Sequence, residues 1–299
     1  MISVQTDQVW GPRPSERVFE LASRALRDYC PDEQAARLSL LNISENATFR
    51  VEWTDNQPDT VLRLHRTGYT TPLEIVSELA WIRALREESG IQTPHVILTR
   101  DGRSRGQVIH QSSGDVHAFV MFEMCPGVEP STDDMATWMV HLGEINAIMH
   151  RHVRQWRPPA DFTRRTWDTN TMFGDKPLWG RWQYGGNMSP QQLALLSRTT
   201  AAMAEKLDTF GKAADRFGLI HADLRLANLL IDDGDTYVID FDDCGFGWYL
   251  YDAATALTFL QAELKRLPGF RRGRRATNVT WSSTTTTARS FRHSSWPGE

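Results

Sequence analysis

The 299-residue sequence has no apolar run approaching the roughly 18 residues that a membrane-spanning helix needs. It opens on MISVQTDQVWGPRP, with no basic segment leading into an apolar one. No membrane partner and no secretory leader are therefore expected. Cysteine is scarce: Cys30, Cys125 and Cys244 lie far apart and form no CxxC pair, which excludes a disulfide framework and a cysteine-based zinc site. A reducing cytoplasm is the expected compartment. An excess of positive charge is also missing, since 33 Lys and Arg face 37 Asp and Glu for a net of −4, so no nucleic-acid partner is expected. No internal repeat is visible. What remains is an ordinary globular composition, with 40% hydrophobic and 23% charged residues, of a length that suits one large domain or two smaller ones.

The charge is unevenly spread. Residues 264–299 hold eight Lys or Arg against a single acid, Glu299, and include RRGRR and TWSSTTTTARS without helical or strand periodicity. This stretch is expected to be a disordered basic tail, or one out of register with the preceding gene sequence.

The rest is well patterned. PSERVFELASRALRDY begins on Pro-Ser and spaces Val18, Leu21, Ala22, Ala25 and Leu26 as one helix face. LSLLNISENATFRVEW reads as two strands about a polar turn at 44–46, and TVLRLHR as a third. LEIVSELAWIRALRE, residues 73–87, is a strong amphipathic helix, and the segments at 96–99, VIHQ and AFVMFEM add strands. After Pro126-Gly127 the character changes. A long helix is expected over 133–153, then a Trp- and Pro-rich stretch to about 190, then a helix to Phe210. ANLLID and TYVID read as strands, with a last helix from Asp252. The division expected is residues 1–125, sheet-rich; 126–263, helical; and 264–299, the basic tail.

One constellation carries chemistry. HADLRLAN places His221, Asp223 and Asn228 at the spacing H-x-D-x4-N, and Asp240 follows twelve residues after Asn228 at a strand end in VIDF. This is the spacing of a kinase catalytic loop and its metal-binding aspartate. The terminal phosphates of a nucleotide carry several negative charges, and Mg²⁺ neutralises them while taking only one or two hard oxygens from protein. Asn228 and Asp240 offer such oxygens, Asp223 can orient and deprotonate an acceptor hydroxyl, and the hairpin LLIDDGDTYVID can fold the two segments side by side.

HADLRLANLLIDD with VIDFDDCGFGWYLYDAA resembles the aminoglycoside phosphotransferase and choline kinase-like family, which also includes homoserine kinases and some bacterial Ser/Thr kinases. The likeness runs from about residue 38 to residue 260. It implies an α+β, two-lobed, protein-kinase-like fold: a small β-rich N-lobe with one main helix, and a larger helical C-lobe. ATP, with GTP as an alternative, and Mg²⁺ would sit between the lobes. Asp223 matches the catalytic aspartate, and Asn228 and Asp240 match the metal ligands; His221 matches a brace of the loop. Arg63, on a strand face shared with Val61 and His65, stands where the family usually carries a phosphate-binding lysine, and Glu78 matches its acidic partner. The loop ISENATFRVE has no glycine, so Ser44 and Asn46 are the expected side-chain donors to phosphate, and the backbone of Glu123 and Cys125 in FEMCPG is the expected adenine edge. Taken one at a time, Arg63 also fits an edge-strand surface residue and Glu78 a solvated helix face.

The expected acceptor is a small molecule bearing a hydroxyl, aminoglycoside-, choline- or homoserine-like. Trp156, Trp167, Trp179 and Trp182 could enclose an amine, or simply fill the helical core. Asp161, Asp168 and Asp175 could meet a cation, or simply face water. The alternatives are a bacterial Ser/Thr protein kinase of the same fold, disfavoured because YLYDAATAL follows Asp240 so closely, and an inactive nucleotide-binding protein.

Overall fold

A sheet of antiparallel strands with a helix on each face occupies the N-terminal half of the computed structural model, which describes residue 10 and residues 14–32, 34–131, 135–175 and 177–258. These belong to one compact unit, Met1–Thr258. The basic tail expected at 264–299 lies outside the described residues.

Helix α1, Pro14–Ala25, opens the described chain and tightens into a 3-10 turn at Leu26–Asp28. Strands β1 (Ala36–Ile43), β2 (Asn46–Trp53) and β3 (Thr60–His65) form a meander. Helix α2, Pro72–Ala84, follows with a capping box at Thr71 and Glu74 and proline in its first turn. β4 (Val96–Ile97), β5 (Gly106–Ile109) and β6 (Val116–Glu123) complete the sheet in the order β1-β2-β3-β6-β4, with β5 also on β6. β3 thus lies between two neighbours, which removes the edge-strand reading of Arg63. Period-two alternation turns Ala47, Phe49 and Val51 of β2 and Leu62 and Leu64 of β3 toward Val18, Leu21 and Ala22 of α1. Burying each of the larger of these side chains is worth about 1.5–3 kcal/mol.

The second half is mainly helical. Helix α3, Met135–Val153, is long; β7 (Thr166–Trp167) and the short α4 (Thr169–Phe173) follow. Helix α5, Pro190–Phe210, buries none of its residues and leaves Leu195, Leu196 and Met203 exposed. β8 (Phe217–Ile220) pairs with β11 (Gly245–Trp248), which also pairs with β7. Between them, β9 (Leu229–Asp232) and β10 (Asp235–Val238) form a hairpin whose turn residues Asp233 and Gly234 both have positive φ, 43° and 90°. That is the turn whose twist suits two strands. Helix α6, Tyr249–Leu257, starts three residues before the expected Asp252. No described helix is long and apolar enough to cross a membrane.

Candidate active site

The hairpin brings the two halves of the constellation together. Ile239 donates its N–H to the Asn228 carbonyl at 3.0 Å, so Asp240 starts beside the loop that carries Asp223. Asn228 is 4% exposed, and its amide Nδ2 donates to the Asp223 carbonyl at 2.8 Å and to Asp223 Oδ2 at 2.9 Å. Those bonds leave the Asn228 Oδ1 atom as the group available to a ligand. Arg225 Nε adds a third donor to Asp223 Oδ2, at 3.1 Å, which leaves Oδ1 of this half-buried carboxylate toward solvent.

The loop is braced from behind. His221 is fully buried; Nε2 donates to the Ile239 carbonyl at 3.1 Å, and Nδ1 accepts from the Asp223 N–H at 3.3 Å. Desolvation holds this imidazole neutral. Asp252, with no exposed surface, accepts the Ala222 N–H at 2.7 Å and the His221 N–H at 3.3 Å. Ala222 needs this support, because its φ of 68° is left-handed. Asp240 is also left-handed, with φ 63°.

Across the cleft, Arg63 Nη2 donates to Glu78 Oε1 at 2.6 Å, joining β3 to α2. Arg63 is 7% exposed and Glu78 fully buried, so the solvated-face reading of Glu78 falls. Desolvation works against the guanidinium charge, but Glu78, then Asp242, keep it protonated. The β1–β2 turn passes over this end. It closes without a left-handed residue, which explains how it dispenses with glycine. Ser44 is exposed there, and the indole of Trp10 donates to its carbonyl at 2.9 Å; Asn46 is buried with Oδ1 unpartnered.

These groups surround a cavity of about 160 Å³, lined by Ser44, Asn46, Arg63, Asp223, Asp240 and Asp243 among others. Its floor is strongly negative. Asp240 is open to solvent through the mouth yet ringed by protein, and desolvation, then Asp242, push its carboxyl up to about 7. Desolvation, then Asp242, also push Asp243 up to about 6. Asp242 suffers the same desolvation, but Arg63, His65, Arg164 and Arg165 hold it below the usual range. A pair of carboxyls that resist ionisation beside an amide oxygen is a donor set suited to a hard divalent cation. No cluster of three His, Cys, Asp or Glu ligands occurs among the described residues, so such a cation would draw its other oxygens from phosphate and water.

The remaining expected residues separate. Glu123 ends β6 with its N–H already given to the His95 carbonyl at 2.9 Å, leaving only its carbonyl for a base edge. Cys125 is half-buried, and desolvation pushes its thiol up to about 11. Trp167 is fully buried, whereas Trp179 is 58% exposed and Trp156 and Trp182 are half-buried, so the four neither fill one core nor line one pocket. Asp168 caps α4 and pairs with Lys212 at 2.7 Å, and Asp161 and Asp175 are exposed.

Other groups at the site had no signal of spacing. Arg164 has a fully buried side chain, and it donates from Nε to the Cys244 carbonyl at 2.6 Å and from Nη1 to the Glu74 carbonyl at 3.0 Å, tying the segment after Asp240 to α2. Tyr69 donates to Asp243 Oδ1 at 2.7 Å and accepts from the Trp179 indole at 3.0 Å. Phe241 packs edge-on against Trp81 of α2 at 5.5 Å.

Residues 39–283 match the model of the phosphotransferase enzyme family, APH. The amicoumacin kinase of Bacillus subtilis (strain 168) is 25% identical over 206 residues, which cover 68% of this chain and 57% of that protein. The chain therefore spans little more than half the length of that relative. Among solved structures, a microcompartment-associated aminopropanol kinase is 44% identical with a TM-score of 0.74, over 81% of this chain and 74% of that one. The amicoumacin kinase hAmiN, in complex with AMP-PNP, Ca²⁺ and Ami, is 22% identical with a TM-score of 0.67, over 84% and 71%. That last likeness shows the fold alone, the α+β protein-kinase-like fold expected from the catalytic-loop motif.

Proposed function

The chain belongs to the phosphotransferase enzyme family, and from that premise we propose that it is a cytoplasmic kinase dependent on ATP, or alternatively GTP, and on Mg²⁺, which phosphorylates the hydroxyl of a small molecule. The observation that carries this reading is the juncture of Asp223, Asn228 and Asp240, with Asn228 bonded through nitrogen to Asp223 and its oxygen left over. Asn228 and Asp240 would hold the metal, which when bound neutralises phosphate charge. Asp223 would receive the acceptor hydroxyl on Oδ1 and take its proton as the oxygen bonds to phosphorus. Arg225 and Asn228 fix the other carboxylate oxygen, so the proton has one destination. Arg63, held by Glu78, would meet the phosphates, with Ser44 and Asn46 closing over them. The Glu123 carbonyl and the Cys125 backbone would meet the base.

A small amino alcohol is the acceptor class we favour. The aminopropanol kinase relative points that way, and so does Asp243, a carboxylate in an aromatic setting of Tyr69 and Trp179 whose charge a cation would stabilise. β11 and α6 follow Asp243 directly, leaving no separate segment to hold a peptide, which favours a small acceptor over a protein. The test is acceptor-dependent ADP release from MgATP across a panel of amino alcohols, choline, homoserine, aminoglycosides and a generic protein substrate, with product mass measured. A gain of one phosphoryl mass on an amino alcohol supports the proposal; release with the protein substrate alone would transfer the reading to a protein kinase.

A further inference from the structure

The catalytic loop hangs on a carboxylate that is itself held by a histidine from a distant helix. Asp252 has no exposed surface, and His150 supplies the ion pair the described residues give it, from Nε2 to Oδ2 at 2.8 Å. That same oxygen accepts the His221 N–H, while Oδ1 accepts the Ala222 N–H. The His150 ring is fixed from its other side by stacking on Tyr249 at 4.5 Å, with an interplanar angle of 27°. Tyr249 is fixed in turn: its backbone N–H bonds the Arg216 carbonyl, and its ring lies where any Cβ on Gly218 would strike it at 2.4 Å.

We propose that His150 is a positioning residue, whose donated hydrogen bond fixes Asp252 and through it the backbone that aims Asp223. This rests on the phosphotransfer reading above. The physical need lies at Ala222, whose left-handed backbone persists only while its surroundings over-determine it. A buried carboxylate that loses one of three donors is free to rotate toward another partner. Its rotation would release the Ala222 N–H and let Asp223, the next residue, move off line. A displacement of about 1 Å at a reacting group is enough to cost turnover while leaving nucleotide affinity alone. His150 touches none of the groups that line the cleft, so a direct role is excluded.

Two substitutions in the full chain separate donation from packing. H150F keeps a ring against Tyr249 and removes the donor; H150Q loses the ring and puts an amide N–H near the position of Nε2. H150F should lower kcat about 10- to 100-fold, the size expected for a lost hydrogen bond to a charged group, with the KM for nucleotide within about twofold. Amide exchange at His221 and Ala222 should quicken in parallel. H150Q should restore both to within about threefold of wild type. Thermal unfolding reports whether each variant folds, and H150N, whose shorter amide falls short of Asp252, replaces H150F if it does not. Wild-type turnover and exchange in H150F, or an H150Q as impaired as H150F, would overturn the proposal. If the wild-type chain transfers phosphate to no acceptor, the kinase reading fails, and amide exchange still decides whether His150 orders the loop.

Discussion

Stability should depend on the Arg63–Glu78 pair in a way that single substitutions exaggerate. The two side chains bond at 2.6 Å with 8% and 0% of their surface exposed. Glu78→Leu leaves Arg63 beside Asp242 and Asp240, which partly compensate it. Arg63→Met instead leaves Glu78, Asp240 and Asp242 short of a cation, with Arg164 no nearer to Glu78 than 3.9 Å. Breaking a buried pair costs about 3–5 kcal/mol, so we place Glu78→Leu near 3 and Arg63→Met near 5. At about 2–4 °C per kcal/mol, the milder variant should melt about 6–12 °C below wild type. The double variant removes both charges and fills the space with apolar atoms, so it should be no less stable than Arg63→Met alone. That corresponds to a coupling of about 3 kcal/mol between the positions. Urea unfolding of the four proteins measures it. A double variant whose loss equals the sum of the singles would refute the reasoning.

Asp223→Asn should leave nucleotide binding nearly intact and lower turnover by about 10²–10⁴-fold, checked by calorimetry beside steady-state rates; unchanged turnover removes Asp223 from the chemistry. Asp240→Ala should abolish metal-dependent nucleotide binding, and equal affinities with and without Mg²⁺ in wild type and variant alike would count against the assignment. Because the Asp240 carboxyl stands at about 7 in the fold, above its unfolded value, the folded state binds this proton more tightly. Its contribution to metal-free stability is full below about pH 4 and is lost as pH rises through about 7. Asp240→Asn should flatten that part of the stability–pH curve, as urea titrations across pH 4–8 would reveal, and an unchanged slope would place the proton elsewhere.

What could be read from the sequence followed local periodicity. The alternation of TVLRLH sets Arg63 and His65 on one buried face of β3, and H-x-D-x4-N with its hairpin puts Asn228 and Ile239 in register. Asp168 was equally legible in principle, since DTNT is a capping sequence, and its position before a helix outweighs its charge. Arg164, His150 and Asp252 were not, because their bonds span 78 to 102 residues and follow no period. The tryptophans misled for a related reason: a large aromatic suits a core, a cap or a surface equally, and only tertiary packing separates buried Trp167 from exposed Trp179.

The central claim is that Asp223, Asn228 and Asp240 form one centre that moves a phosphoryl group to a small hydroxyl. The most direct measurement gives the wild-type chain and Asp223→Asn γ-³²P-labelled ATP, Mg²⁺ and an amino alcohol, and follows the label. The account predicts a labelled phosphate monoester of the amino alcohol with wild type, slowed about 10²–10⁴-fold in the variant although nucleotide still binds. Label released only as inorganic phosphate, or monoester formed equally fast by Asp223→Asn, would contradict it.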